Sequence, residues 1–542
     1  MKKIKLFMLN AAGLSAVNIT LRFVAVSFNA YVAAKIGAES MGLFSLVMSV
    51  YGLAVVVATS GVNLASVRLT AEKHALLERR GAGKDDYRKC SSSVIRSCVL
   101  YGALFSALTS AVLFFLSRPV GVYLLGDVRC VKSLKVLALS LLPISLSSAV
   151  SGYFTGVRKV YKNAVTVVTE QAVKIAITSA ALTAAIPAGA DAVEYACLAV
   201  VGGSALAEGA SLALNVLLYV FDSKVSPGTV LKNNSGGCRA SLGEVASISL
   251  PTAVGSYARQ GLITAEHLAI PWGLKKNGST SGQALASYGV LQGMVFPLIL
   301  FPAALLTSFA GLLIPEFAEM RSTEQTEKIK RAMERVVTVS VLFSVCVSAV
   351  FILFSRYLGL SIYKSGDAAR HILIIAPLIP VMYLDSAVDA MLKGLGAQLD
   401  SMRINVIDAA TSLVLVLILV PRFGIWGYVA VIYVCEILND TLSIIRLLRI
   451  TGARLRVTRI VLIPLVSAVS SLGALFLVTK LSLPFPSDKR NVILMLVFIS
   501  FYALAAVLLT RKTEKRAKSA DHDLSERKES KVLKKRGFQS II

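Results

Sequence analysis

Charged side chains interrupt otherwise apolar stretches of this 542-residue chain, and the types and spacing of six of them define the chemistry open to it. Arg22 follows Ile19-Thr-Leu, and Arg259 lies in Ser256-Tyr-Ala-Arg-Gln. A charge at the centre of a bilayer costs about 2.5–3.5 kcal/mol on insertion scales, so such a residue faces a partner or a wet cavity. Two cations of this kind suit an anionic headgroup such as a diphosphate, because a guanidinium grips phosphate oxygens in a fork. The competing role is structural pairing with a carboxylate, and Glu266 stands two helical turns beyond Arg259. Glu170 and Lys174 are four residues apart, so on a helix they share a face and can form an intramembrane charge pair. Asp385 and Asp389 have the same spacing with like charge. Their repulsion favours a bound cation, a shared proton or a basic partner, which makes them candidates for ion coupling. Glu436 and Asp440, near Arg446, read as an interfacial charge cluster.

No catalytic constellation accompanies these charges. Gly81-Ala-Gly-Lys84 is too short for a phosphate-binding loop. The seven cysteines and four histidines have no metal-ligand spacing, and the cysteines read as free thiols. The loops are short and basic, without the polar catalytic segment a membrane enzyme needs. The expectation is therefore a non-enzyme without cofactor or metal.

The elements that position these charges follow from composition. Hydrophobic residues make up 55% and charged residues 16%, with a mean hydropathy of +0.71. Soluble domains carry about a quarter charged residues. Stretches of about 20 apolar residues recur, each long enough to cross a bilayer as a helix. About fourteen such spans are expected, roughly at 8–34, 41–63, 92–117, 134–155, 163–187, 195–221, 246–270, 285–312, 333–355, 371–392, 404–421, 425–445, 459–479 and 491–510. The fold class is all-α, a polytopic membrane protein. Its N-terminus, Met-Lys-Lys-Ile-Lys, reads as the start of a retained first helix rather than a cleaved signal.

The net charge of +26 is distributed as a topology signal, not gathered on a soluble face as nucleic-acid binding requires. With the N-terminus inside, the inner segments hold 28 Lys and Arg before the tail, against 13 in the outer segments. Both termini are therefore expected in the cytoplasm. Trp272 and Trp426 fall at outer span ends, where interfacial anchors belong. The basic tail, residues 511–542, suits contact with anionic lipid headgroups. Pro143, Pro251, Pro297, Pro302, Pro377 and Pro380 mark possible helix bends.

The chain also repeats itself. A shift of 238 residues lays Leu146–Glu170 over Leu384–Asp408, matching Leu146 with Leu384, Ser148 with Ser386 and Gly156 with Gly394, and setting Glu170 against Asp408. A shift of 237 sets Arg22 against Arg259. Six spans separate the copies, an even number, so the copies are parallel repeats about an axis near the membrane normal. Two pseudo-symmetric six-helix lobes follow, 1–222 and 244–447. They are joined by a cytoplasmic loop at 223–243 and followed by two further helices within 448–510. Such repeats commonly place a substrate path between lobes that rock.

An ordered set of motifs then carries a resemblance. Ile36-Gly-Ala-Glu-Ser-Met-Gly-Leu-Phe44, Thr59-Ser-Gly-Val62 through Ala71-Glu72, and Ser151-Gly-Tyr-Phe-Thr-Gly156 followed by Glu170-Gln171 resemble the stage V sporulation protein B group. So do Phe296-Pro297 through Phe301-Pro302, Ile314-Pro-Glu-Phe-Ala-Glu319, Leu392-Lys-Gly-Leu-Gly-Ala-Gln398 and Pro421-Arg-Phe-Gly-Ile-Trp-Gly427. That group lies in the polysaccharide transporter branch of the multidrug/oligosaccharidyl-lipid/polysaccharide (MOP) flippase superfamily. The resemblance implies fourteen helices in two lobes of six plus two, in a bacterial cytoplasmic membrane. It implies flipping of a lipid-linked saccharide, undecaprenyl-diphosphate-linked and of the lipid II type, with a coupling ion such as H+ or Na+. Relatives that flip lipid II use cavity arginines, and Arg22 matches the first-helix position; Arg259 joins it through the repeat. The expected partners are the lipid-linked substrate and membrane lipids. The alternative on the same scaffold is a cation-coupled multidrug exporter using Asp385 and Asp389.

Overall fold

In the computed structural model, which describes residues 2–79, 81, 83–184, 191–223, 241–453, 457–480 and 489–511, the chain is helical almost throughout. No strand occurs among the described residues. Most of the tail and of the 223–243 loop lie outside them, as does Cys238. Helices α1 (Lys2–Thr59), α2 (Val62–Arg79), α3 (Lys84–Pro119), α4 (Cys130–Gly156), α5 (Val160–Ala184) and α6 (Asp191–Ser223) come first. Then follow α7 (Leu242–Lys276), α8 (Ser281–Gly289), α9 (Phe296–Leu300), α10 (Ala303–Ser322), α11 (Thr326–Tyr363), α12 (Gly366–Ile375), α13 (Ile379–Gly394), α14 (Gln398–Phe423), α15 (Ile425–Thr451), α16 (Val457–Lys480) and a last helix, α17 (Lys489–Arg511).

Thirteen helices among the described residues are long and apolar enough to cross a membrane. Three local features relate this number to the fourteen expected spans. The first two spans run together as α1, broken at Gly37, whose φ of 78° only glycine adopts without strain. The seventh span is the 35-residue helix α7, kept less apolar than its neighbours by Ser249, Thr252, Ser256, Arg259 and Glu266. The eighth is interrupted. It passes from α8 through a π-turn at Val290–Val295 into α9 and restarts as α10 just after Pro302, which has no N–H for the helical ladder. Pro377 sits in a short 3-10 turn and Pro380 at the start of α13, whereas Pro143 and Pro251 lie inside continuous helices.

Sequence signals fix the helix starts. Ser241 and Glu244 form a reciprocal capping box on α7: the Ser241 Oγ accepts from the Glu244 N–H at 3.1 Å, and the Glu244 carboxylate accepts from the Ser241 N–H at 3.4 Å. Thr280 and Gln283 do the same for α8. Charges at helix ends find partners. Arg129 binds Asp127 at 2.7 Å and Glu39 at 2.9 Å, and Lys159 and Lys162 both reach Asp222, at 2.6 and 2.8 Å. Trp272 and Trp426 are half-exposed near helix ends, and the Lys276 ammonium lies 5.2 Å from the Trp272 ring centre. One expectation fails: Cys98, Cys130, Cys197, Cys346 and Cys435 are free thiols, but Cys90 is disulfide-bonded.

The chain forms two compact units. One spans Met1–Ser308, Ile362–Ala368 and Ala397–Leu442, the other Phe309–Ser361, Ala369–Gly396 and Ser443–Ile542. In the first, Val62, Leu69, Val94, Tyr101, Ala149 and Val245 close a core among α2, α3, α4 and α7. In the second, Val350, Phe354, Ala468, Leu494, Phe498 and Tyr502 join α11, α16 and α17, and the Tyr502 hydroxyl donates to the Leu342 carbonyl at 2.9 Å.

Within the first unit the outer arm of α1 meets α8 with no room for a side chain. A Cβ on Gly42 would overlap the Leu285 carbonyl, and one on Gly289 would overlap the Ala38 carbonyl. Gly42→Val should therefore cost about 1–3 kcal/mol through overpacking, read as a fall in thermal midpoint of the detergent-purified protein. Gly202→Ala on α6, where a Cβ meets open space, should leave the midpoint level or raise it. Equal effects of the two changes would refute the close contact.

Candidate functional site

Arg22 lies in a cavity. The pocket, about 410 Å³, is lined by Arg22 and Ala25 of α1, Val167 and Gln171 of α5, and Thr307 and Ser308 of α10, with Leu21 beside them. Each helix is placed by local sequence: α1 is straight up to Gly37, α5 is uninterrupted from Val160, and α10 begins just after Pro302. Arg22 is exposed rather than packed against protein. None of the lining residues is acidic. The wall therefore offers a guanidinium fork, one amide and two hydroxyls, a set that can hold an oxyanion and hydrogen-bond neighbouring hydroxyl or amide groups. The volume falls in the usual range for small-ligand sites, about 300–1,000 Å³.

Arg259 has a different setting. It is exposed on α7 and is not among the residues lining the Arg22 pocket. Its charge acts on Asp408 of α14, one of whose carboxylate oxygens is buried without a hydrogen bond. Glu266, the expected intrahelical partner, instead hydrogen-bonds Ser412, one turn beyond Asp408. The next residue, His267, pairs through Nδ1 with the Tyr288 hydroxyl at 2.8 Å. The helix α7–α14 contact thus brings two carboxylates and a hydroxyl together, with the Arg259 charge acting on Asp408 without a direct ion pair.

Glu170 and Lys174 share a face of α5 as expected, and the structure adds Glu208 of α6. The Glu170 carboxylate hydrogen-bonds Ser211, and the Lys174 charge is balanced by both Glu170 and Glu208. Asp385 and Asp389 lie on α13 in the second compact unit, both partly buried. Asp389 accepts from the Lys393 ammonium at 2.6 Å, one turn on. A basic partner for the pair is therefore present.

Residues 7–270 match the family described as polysaccharide biosynthesis protein, and residues 277–418 match the family described as MatE. The chain is 25% identical over 404 residues to stage V sporulation protein B of Bacillus subtilis (strain 168), covering 73% of this chain and 74% of that protein. The chain resembles these two families, one in each half. Its fold is that of solved membrane transporters. "Lipid II flippase MurJ, inward closed conformation" superposes with a TM-score of 0.68 at 13% identity, covering 92% of this chain and 99% of that one. An inward-facing multidrug resistance MATE family transporter of the MOP superfamily gives 0.58 at 12% identity, covering 81% and 99%.

Sequence reasoning passed over Glu208, Gln171, Thr307 and Ser308 as site residues. Glu208 carried a usable signal, an acidic residue inside the apolar span 195–221. The other three are polar but uncharged, and such residues are ordinary in membrane helices until a cavity singles them out. The Arg259–Asp408 interaction should appear in a double-mutant cycle. Arg259→Gln and Asp408→Asn, alone and combined, should show a coupling of about 0.5–3 kcal/mol in unfolding of the purified protein. Additive effects would separate the two residues.

Proposed function

We propose that this protein translocates a lipid-linked saccharide across a bacterial cytoplasmic membrane, from the inner to the outer leaflet. The substrate class is an undecaprenyl-diphosphate-linked saccharide, of which a peptidoglycan precursor is the leading member. The observation that carries this reading is the Arg22 pocket: an exposed guanidinium halfway along a membrane-spanning helix, in a wall with hydrogen-bonding groups and no carboxylate. An anion completes that site; an organic cation is repelled by it. Kinship with stage V sporulation protein B and the fold shared with the lipid II flippase support the same class.

Translocation breaks no covalent bond, so the chain's residues bind, orient and release. Arg22 holds the diphosphate while the prenyl chain stays in apolar surroundings. Lobes 1–222 and 244–447 rock so that the site opens to one leaflet at a time. Arg259 serves the substrate path from the second lobe in the state where it parts from Asp408. Asp385 and Asp389 are the proposed coupling pair for H+ or Na+, acting in competition with Lys393 for Asp389. Both termini face the cytoplasm in this scheme. A second reading, a cation-coupled drug exporter, draws on the match of residues 277–418, which include both aspartates, to the MatE family.

Depletion should make one lipid-linked precursor accumulate on the inner leaflet, measured by leaflet-selective labelling and mass spectrometry. Arg22→Ala should reproduce the accumulation, and Arg22→Lys should restore part of the flux, because an ammonium keeps the charge but loses the fork. Wild-type flux in Arg22→Ala removes Arg22 from the scheme. Normal precursors together with drug sensitivity would favour the exporter.

A further inference from the structure

A second cavity, about 370 Å³, opens on the same two helices as the Arg22 pocket. Its wall is made by Phe23, Ser27, Phe28 and Tyr31 of α1 and by Ile175 and Ser179 of α5. On α5 the two cavities follow one face, since Val167, Gln171, Ile175 and Ser179 are each four residues apart. On α1 the order is the same, from Arg22 and Ala25 to Phe28 and Tyr31. Residue numbers rise together on both helices, so the cavities lie in line along one α1–α5 cleft, about 18 Å from Val167 to Ser179. The character changes along it. The Arg22 end offers the guanidinium, amide and hydroxyl groups. The other end is mostly apolar, its polar groups the two serine hydroxyls and the Tyr31 phenol, with the Phe28 and Tyr31 rings stacked at 6.3 Å. Phe23 stands at the junction, its ring 5.7 Å from that of Phe301.

We infer that the α1–α5 cleft is a single amphiphilic slot in which the apolar cavity binds the first isoprenoid units of the chain whose diphosphate Arg22 holds. This deepens the proposed function and rests on it for the identity of the anion. The covalent order of a prenyl diphosphate, charge then branched hydrocarbon, is the order of the two cavities. A volume of about 370 Å³ holds a few isoprenoid units and leaves the rest of the chain in lipid. Aromatic walls suit the flat, branched isoprene unit. The cleft thereby recognises the linkage common to every member of the substrate class, while Gln171, Thr307 and Ser308 remain for the groups that differ.

The test is equilibrium binding to the purified full-length protein in detergent, with inorganic diphosphate, geranyl diphosphate and undecaprenyl diphosphate as probes. The tail increment is the affinity ratio of geranyl diphosphate to inorganic diphosphate for one protein. Wild type should show an increment of at least about tenfold, since burying two methylene equivalents already accounts for that ratio. Ser27→Trp and Ser179→Trp, which fill the apolar cavity, should bring the increment close to one, provided each elutes monodisperse with a wild-type thermal midpoint; either variant alone suffices. The inference is overturned if wild type shows no increment, if a folded tryptophan variant keeps it, or if phospholipid alone competes it away, which would make the occupant annular lipid. Arg22→Ala separates the two levels: unchanged binding of all probes removes Arg22 from the proposed function, while the increment, read within that variant, still decides the slot.

Discussion

A guanidinium halfway along a membrane-spanning helix must be met by water, by a carboxylate or by a bound anion. Hydrocarbon offers none of these, and the cost of leaving the charge unmet is several kcal/mol. The rest of the structure can be organised around how this chain meets that constraint twice, in two ways. Arg22 faces a cavity with hydrogen-bonding walls and no acidic residue. Arg259 acts on Asp408 across a helix contact. The repeat that sets the two arginines against each other in sequence therefore does not give them the same surroundings.

The same constraint explains what surrounds these residues. Glu170, Lys174 and Glu208 gather on α5 and α6, so no charge in that region stands alone. Asp389 has Lys393 one turn away. The helices bearing these groups are held by contacts that need no charge: Gly42 and Gly289 bring α1 against α8 at backbone distance, and the α8–α10 stretch yields at Pro302. That yielding places Thr307 and Ser308 at the start of a new helix, where they complete the wall opposite Arg22.

Much of the fold was legible in the sequence, because hydropathy is a signal of about 20 residues and survives local detail. The apolar runs located nearly every span. What was not legible is local or long-range. Pro302 was one of six prolines with the same signature, and only packing decides which of them ends a helix. The charged site residues announced themselves by rarity. Gln171, Thr307 and Ser308 could not, since their role comes from meeting Arg22 across 149 or more residues of chain. Asp408 was visible as the repeat mate of Glu170, but its interaction with Arg259 depends on how α7 lies against α14. Cys90 read as a free thiol because cysteine spacing says nothing about distant pairing.

The most direct measurement is a structure of the protein with a lipid-linked diphosphate saccharide bound. A headgroup held by Arg22 predicts phosphate oxygens at hydrogen-bond distance from its guanidinium, about 2.7–2.9 Å, within the cavity bounded by α1, α5 and α10. A headgroup bound elsewhere, with Arg22 facing only water or protein, would contradict the assignment of that cavity to the substrate.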